Sequence, residues 1–105
     1  MEKFNLKEII ESNQAVMVYF GGQNCGVCKV LHPKIKDSFE KEFPNIKQVY
    51  IDIEEDRTTA IEYNIFAIPT IIIFFEGKEF IRKSRNLSVQ AFIDEVSRPY
   101  GLFFN

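Results

Sequence analysis

The chain has no tryptophan, one histidine, two cysteines and, near its N-terminus, no apolar run longer than Ala15–Phe20. Each shortage excludes something. Two cysteines are too few for a disulfide-stapled scaffold, and with the single His32 they fall short of the four ligands of a structural zinc site. The short N-terminal run, close to Glu2, Glu8 and Glu11, matches neither a signal peptide nor a membrane span. Net charge is only −2, with no basic stripe interleaved with aromatics, so nucleic acid is not an expected partner. Repeats, low-complexity tracts and linkers are lacking too. What remains is one domain of 105 residues, 46% apolar and 27% charged, whose 11 phenylalanines promise an aromatic core. A cytoplasmic setting is expected, where a lone cysteine pair is redox-active more often than structural.

In chain order, Asn5 can cap a short helix through Leu6, Ile9 and Ile10 that ends near Ser12-Asn13. Ala15–Phe20 reads as a buried strand broken by Gly21-Gly22. A long helix is expected from Cys25 to about Phe43, with Leu31, Ile35, Phe39 and Phe43 as its buried stripe and a bend at Pro33. Ile46–Ile53 alternates as a second strand, and Glu54–Tyr63 suits a short helix with acidic residues at its positive end. The continuous run Ile71–Phe75 predicts a central strand covered on both faces. Glu76-Gly77-Lys78 then turns the chain into an antiparallel strand over Glu79–Ser84. Ser88 caps a last helix with Val89, Phe92, Ile93 and Val96 on one face. Arg98-Pro99 is expected to end it, leaving residues 98–105 as an apolar tail. The pattern predicts an α/β sandwich with a central mixed sheet of about four strands and helices on both faces.

Both cysteines lie in Gln23-Asn24-Cys25-Gly26-Val27-Cys28-Lys29, where a strand hands over to a helix. Unpaired N–H groups and the partial positive charge of a helix start favour a thiolate, which makes Cys25 the expected nucleophile. Cys28, one turn on, is close enough to attack a sulfur bonded to Cys25. Other readings stand beside this one. Cys28 and His32 are four apart and with a borrowed carboxylate could form part of a metal cluster, whereas His32 alone reads as an ordinary surface histidine. An iron–sulfur cluster bridging two chains through Cys25 is a remoter option.

Three separated signatures resemble the thioredoxin family: Cys25-Gly26-Val27-Cys28-Lys29 followed by Pro33, then Tyr63-Asn64-Ile65-Phe66-Ala67-Ile68-Pro69-Thr70, then Phe75-Glu76-Gly77-Lys78. Their order and separations match over about residues 15 to 97. The resemblance implies a thioredoxin-like three-layer sandwich and thiol–disulfide exchange with disulfide-containing protein substrates, in the reducing direction, through a Cys25–Cys28 disulfide. It implies a cis Pro69 against the cysteine pair, with Asn24, Gly26, Val27, Ile68 and Pro69 as the substrate-binding residues. No metal and no bound cofactor are implied, since a reductase or small thiol would return the electrons. A binding or adaptor module serving one dedicated partner is the competing reading.

Several positions depart from the family pattern. Asn24 stands where tryptophan is common, and Val27 where proline is. Tyr19 and Tyr50 align with the family's buried aspartate and the lysine facing it, so the carboxylate that assists Cys28 is replaced. A phenol titrating near 10 is a poor base at neutral pH, which turns attention to water or to an acidic neighbour such as Asp52. Arg82, Lys83, Ser84, Arg85 and Asn86 occupy the stretch before the last helix, where the family has glycine. They read either as edge-strand charges or as a basic rim selecting acidic partners. Sites of this kind span about −270 to about −120 mV, and Gly26-Val27 does not fix a value.

Overall fold

In the computed structural model, which describes residues 5–85 and 87–104, four strands form one sheet in the order β2-β1-β3-β4. The elements are α1 (Leu6–Ser12), β1 (Ala15–Gly21), α2 (Gly26–Glu42), β2 (Lys47–Asp52), α3 (Arg57–Glu62), β3 (Thr70–Phe75), β4 (Lys78–Ser84) and α4 (Val89–Phe104). β1 runs parallel to β2 and antiparallel to β3, which pairs antiparallel with β4. This is the mixed sheet with flanking helices that the sequence pattern predicts.

Side chains of β1 and β3 alternate between two cores, as strand geometry demands. Ala15, Met17, Tyr19, Ile71, Ile73 and Phe75 face α2 and α4 and meet Leu31, Ile35, Phe39, Phe92 and Val96. Val16, Val18, Phe20, Ile72 and Phe74 face the other way, onto Leu6 and Ile10 of α1 and onto Tyr63 and Ile65 beyond α3. Both strands are therefore buried on both faces and read as unbroken apolar runs.

Three boundaries differ from expectation, each for a physical reason. The residues after β2 form a turn before the helix: Asp52 Oδ1 accepts the Glu54 N–H at 2.8 Å, and the Asp52 carbonyl accepts those of Glu55 and Asp56. α3 therefore begins only at Arg57, capped by Asp56, whose carboxylate takes the Thr59 N–H at 3.1 Å. The hairpin turn is Glu76-Gly77 alone, both at positive φ, so β4 starts at Lys78.

The third difference corrects the C-terminus. Arg98-Pro99 does not end the last helix, and residues 98–104 are not a free tail; α4 continues through Pro99 to Phe104. A proline inside a helix costs about 3 kcal/mol. Aromatic contacts beyond it offset that cost: Tyr100 on Phe43 (centroids 4.9 Å), Phe103 stacked on Phe75 (5.0 Å) and Phe104 on Tyr100 (4.8 Å). The Tyr100 hydroxyl also accepts the Asn45 N–H at 3.3 Å.

Candidate active site

β1 leaves the sheet at Gly21, and Gly22 turns the chain so that its carbonyl accepts the Cys25 N–H at 3.3 Å. Cys25 is the N-cap of α2, with extended backbone, and its sulfur accepts the Cys28 N–H at 3.1 Å. The two cysteines are bonded to each other, their Cα atoms 5.2 Å apart. Both residues are buried, Cys25 at 8% and Cys28 at 4% exposure. Asn24, Gly26 and Val27 are exposed around them.

The loop carrying Pro69 is brought to the same end of the molecule by the close of α3. Asn64 takes a left-handed conformation (φ 57°), its N–H bonds the Ile61 carbonyl, and the Ile65 N–H reaches back to Ala60 at 2.9 Å. The chain then crosses to β3 through a cis Ile68–Pro69 bond. A Cβ on Gly22 would lie 3.2 Å from Cδ1 of Ile68, so the residue before Pro69 rests against the loop leading to Cys25. Ile68 also packs on the core cluster that holds both cysteines. On the far side the Pro69 carbonyl accepts the Arg85 N–H at 2.8 Å. A shallow groove lined by Val27, Leu31, Arg85, Leu87 and Ser88 opens beside the pair.

The basic run is largely consumed within β4 and α4. Arg82 forms a two-pronged pair with Glu79 (2.9 Å for each bond), which holds the Glu79 carboxyl below its usual range, and Lys83 meets Glu95 at 2.8 Å. Arg85 is the member that reaches the Pro69 loop. Asn86 lies outside the described residues.

At the positions of the family's charged pair, Tyr19 and Tyr50 pack with His32 as a set of three rings, Tyr19 sharing the buried cluster with both cysteines. Tyr19 and Tyr50 are register partners on the parallel strands β1 and β2 and stack at 5.7 Å. His32 sits against both, its ring 4.7 Å from each. It is half-buried rather than a plain surface residue, because the helix turn that carries Cys28 inward carries His32 onto the same side. The crowding is tight: a Cβ on Gly21 would come within 2.8 Å of the Tyr50 oxygen. Burial pushes the Tyr19 phenol up to about 12, with Tyr50 adding to it, and the buried Tyr19 oxygen finds no hydrogen-bond partner among the described residues. Burial, then Lys36, lowers the His32 imidazole below its ordinary value. Asp52 supplies its carboxylate to the turn after β2. Among the described residues no three His, Cys, Asp or Glu side chains cluster as metal ligands would.

A model of the thioredoxin family matches residues 1–98. The chain belongs to the thioredoxin family. It is 40% identical over 74 residues to a thioredoxin of Rickettsia conorii, covering 70% of each chain. With a thioredoxin-like protein of Bacillus subtilis it shares 24% over 99 residues, 94% of this chain and 88% of the relative. Among solved structures, thioredoxin 1 of Thermosipho africanus superimposes with a TM-score of 0.76 at 29% identity, covering 83% of this chain and 96% of its own. Fasciola hepatica thioredoxin gives 0.78 at 26%, covering 89% of each. Family membership and the bonded pair at a helix start make this thioredoxin-family chain a thiol–disulfide oxidoreductase. The sequence suggests a surface histidine at His32, whereas the ring is half-buried against Tyr19 and Tyr50. Its spacing of four from Cys28 was a usable signal, but the pairing of Tyr19 with Tyr50 that walls it in is visible only once β1 and β2 are in register.

Proposed function

We propose that the protein reduces disulfides of protein substrates in the cytoplasm, with Cys25 as nucleophile and Cys28 as resolving thiol. The observation that supports this best is the position of the Cys25 sulfur: it is the N-cap group of a 17-residue helix and already accepts the Cys28 N–H. A thiolate there gains from the helix dipole and from that charge-assisted bond. The Cys25 thiolate attacks a substrate disulfide, forming one S–S bond and releasing the first substrate thiolate. Cys28 then attacks the Cys25 sulfur, so that the Cys25–Cys28 bond forms, the bond to substrate breaks, and its electron pair leaves on the second substrate sulfur. Two electrons have moved to the substrate. A reductase or small thiol returns them, and no bound cofactor takes part.

The substrate is proposed to lie along Ile68-Pro69, with Asn24, Gly26 and Val27 beneath it. The groove beside Val27 and Leu31 and the exposed ring of Phe66 offer apolar contact nearby. Insulin reduction with dithiothreitol as electron source tests the reading. Turnover well above the dithiothreitol background, lost in Cys25→Ser, is the expected result. Background rates on insulin and on unrelated disulfide proteins would instead favour an adaptor bound to one dedicated partner.

A further inference from the structure

We propose that His32 accepts the proton of Cys28 during resolution, with Tyr19 and Tyr50 as positioning residues that hold its ring. The proposal rests on the reading of Cys28 as the resolving thiol. A base is called for there because the helix start serves Cys25, its cap, while Cys28 lies within the buried apolar cluster.

The candidates can be sorted by chemistry. Tyr19, at the position of the family's aspartate, keeps its proton up to about 12, and Tyr50 is raised as well by burial and then by Asp52 and Glu55. Neither phenol is a base at neutral pH. Asp52 has a carboxylate oxygen committed to the Glu54 N–H. His32 differs on each count. It lies one helical turn beyond Cys28 on the same face of α2, where i,i+4 side chains are neighbours, and it packs at 4.7 Å on Tyr19, a member of the buried cluster that holds Cys28. β1 contributes Tyr19 and β2 Tyr50 to its surroundings, and its own helix contributes Lys36. Burial and then Lys36 favour the neutral ring, the form that can accept a proton, while the Asp52 and Glu55 carboxylates act on Tyr50 behind it. The Tyr19 hydroxyl, lacking any hydrogen-bond partner among the described residues, does not occupy an imidazole nitrogen. Half-exposure gives the proton an exit.

The step balances. The Cys28 S–H proton passes to imidazole nitrogen as the Cys28 sulfur bonds to the Cys25 sulfur. The Cys25–substrate bond breaks, the substrate sulfur leaves as thiolate, and the imidazolium returns its proton to water or to that thiolate.

Reduced protein mixed with 5,5′-dithiobis(2-nitrobenzoate) releases one coloured thiolate when Cys25 attacks and a second when Cys28 resolves the adduct, so one trace times both steps. In His32→Phe, which keeps a ring between the tyrosines, and in His32→Gln, which keeps polarity, the ratio of second to first rate constants should fall by about a hundredfold or more at pH 7. The pH profile of the second release should also move upward, from the imidazole range to the thiol range. A ratio unchanged in either variant, or a fall in both with the profile unmoved, overturns the assignment. A wild-type trace with a first release and no second overturns the resolving role of Cys28 and the base with it, whereas a second release indifferent to His32 overturns the base alone.

Discussion

Replacing Tyr19 by Phe should stabilise the protein, and increasingly so as pH rises. The change removes one oxygen from a side chain that is fully buried and whose hydroxyl has no hydrogen-bond partner among the described residues. A buried unpaired hydroxyl costs about 1–3 kcal/mol, and the small void left behind takes back part of the gain. A net gain of about 1 kcal/mol is expected at pH 7, or roughly 4–8 °C in Tm for a domain of this size. Titration adds a second component. The folded phenol is raised from 10.0 to about 12 by burial first and Tyr50 second. A group raised on folding contributes stability that is fully present below the unfolded value and is lost as pH climbs through the folded one. At about pH 11 the unfolded chain has shed this proton and the folded chain has kept it, so the wild type has lost about 1.4 kcal/mol that the Phe variant never had. The difference between the proteins should therefore widen from about 1 kcal/mol at pH 7 to somewhat over 2 kcal/mol at about pH 11. Tyr50 and Tyr63, also raised, titrate in both proteins and largely cancel. Urea unfolding of the oxidised proteins across this range, with m compared at each pH, measures it. A Phe variant less stable at pH 7 would show that the hydroxyl has a partner, and a difference flat with pH would show that the phenol is not desolvated.

Three further outcomes are expected. Cys28→Ser should accumulate covalent adducts through Cys25 on non-reducing gels, and Cys25→Ser far fewer; equal trapping would reverse the assignment of nucleophile. Phe39→Ala empties a fully buried site between Phe43 (5.0 Å) and Phe92 (5.7 Å) and should cost about 3–5 kcal/mol in urea unfolding, a loss below about 2 kcal/mol meaning that α2 and α4 collapse into the space. Arg85 holds a left-handed backbone (φ 59°), so Arg85→Gly should relieve up to about 1 kcal/mol while flattening the salt dependence of exchange with an acidic disulfide peptide; an unchanged salt slope would remove Arg85 from substrate selection.

What could be read from the sequence was whatever a local pattern fixes. The alternation between two cores makes β1 and β3 uniformly apolar, and a spacing of four puts Leu31, Ile35 and Phe39 on one side of α2, so those elements were plain. Asn5 and Ser88 cap α1 and α4 as their residue types suggest. The strand-to-helix junction around Cys25 was legible for the same reason. Failures came where distant contacts outweigh local preference. Pro99 signals a stop, but Phe103 finds Phe75 and Tyr100 finds Phe43 across the fold, and the helix carries on. The turn after β2, in which one Asp52 carboxylate oxygen accepts the Glu54 N–H, delays α3 beyond where its acidic residues suggest. His32 looked like a surface residue because no local pattern reveals that two strands will align a tyrosine each beneath it.

The three rings also bear on the departure from the charged pair that the family resemblance implies. A buried carboxylate facing a buried lysine is held against a large desolvation cost, repaid only while both partners are present. Stacked neutral rings carry no such cost, and they give the neighbourhood of Cys28 more apolar contact than the ion pair would. On the proposed resolution step, the proton leaving Cys28 travels toward solvent by the turn of α2 that bears the half-buried His32. An aspartate placed at position 19 without a cation at position 50 would be an unpaired buried charge, so Tyr19→Asp should lower stability and leave the carboxyl protonated. Chemical unfolding of Tyr19→Asp against Tyr19→Asp/Tyr50→Lys separates the two contributions: the double variant must recover stability that the single variant loses, and failure to do so would mean that the pocket is shaped for rings alone.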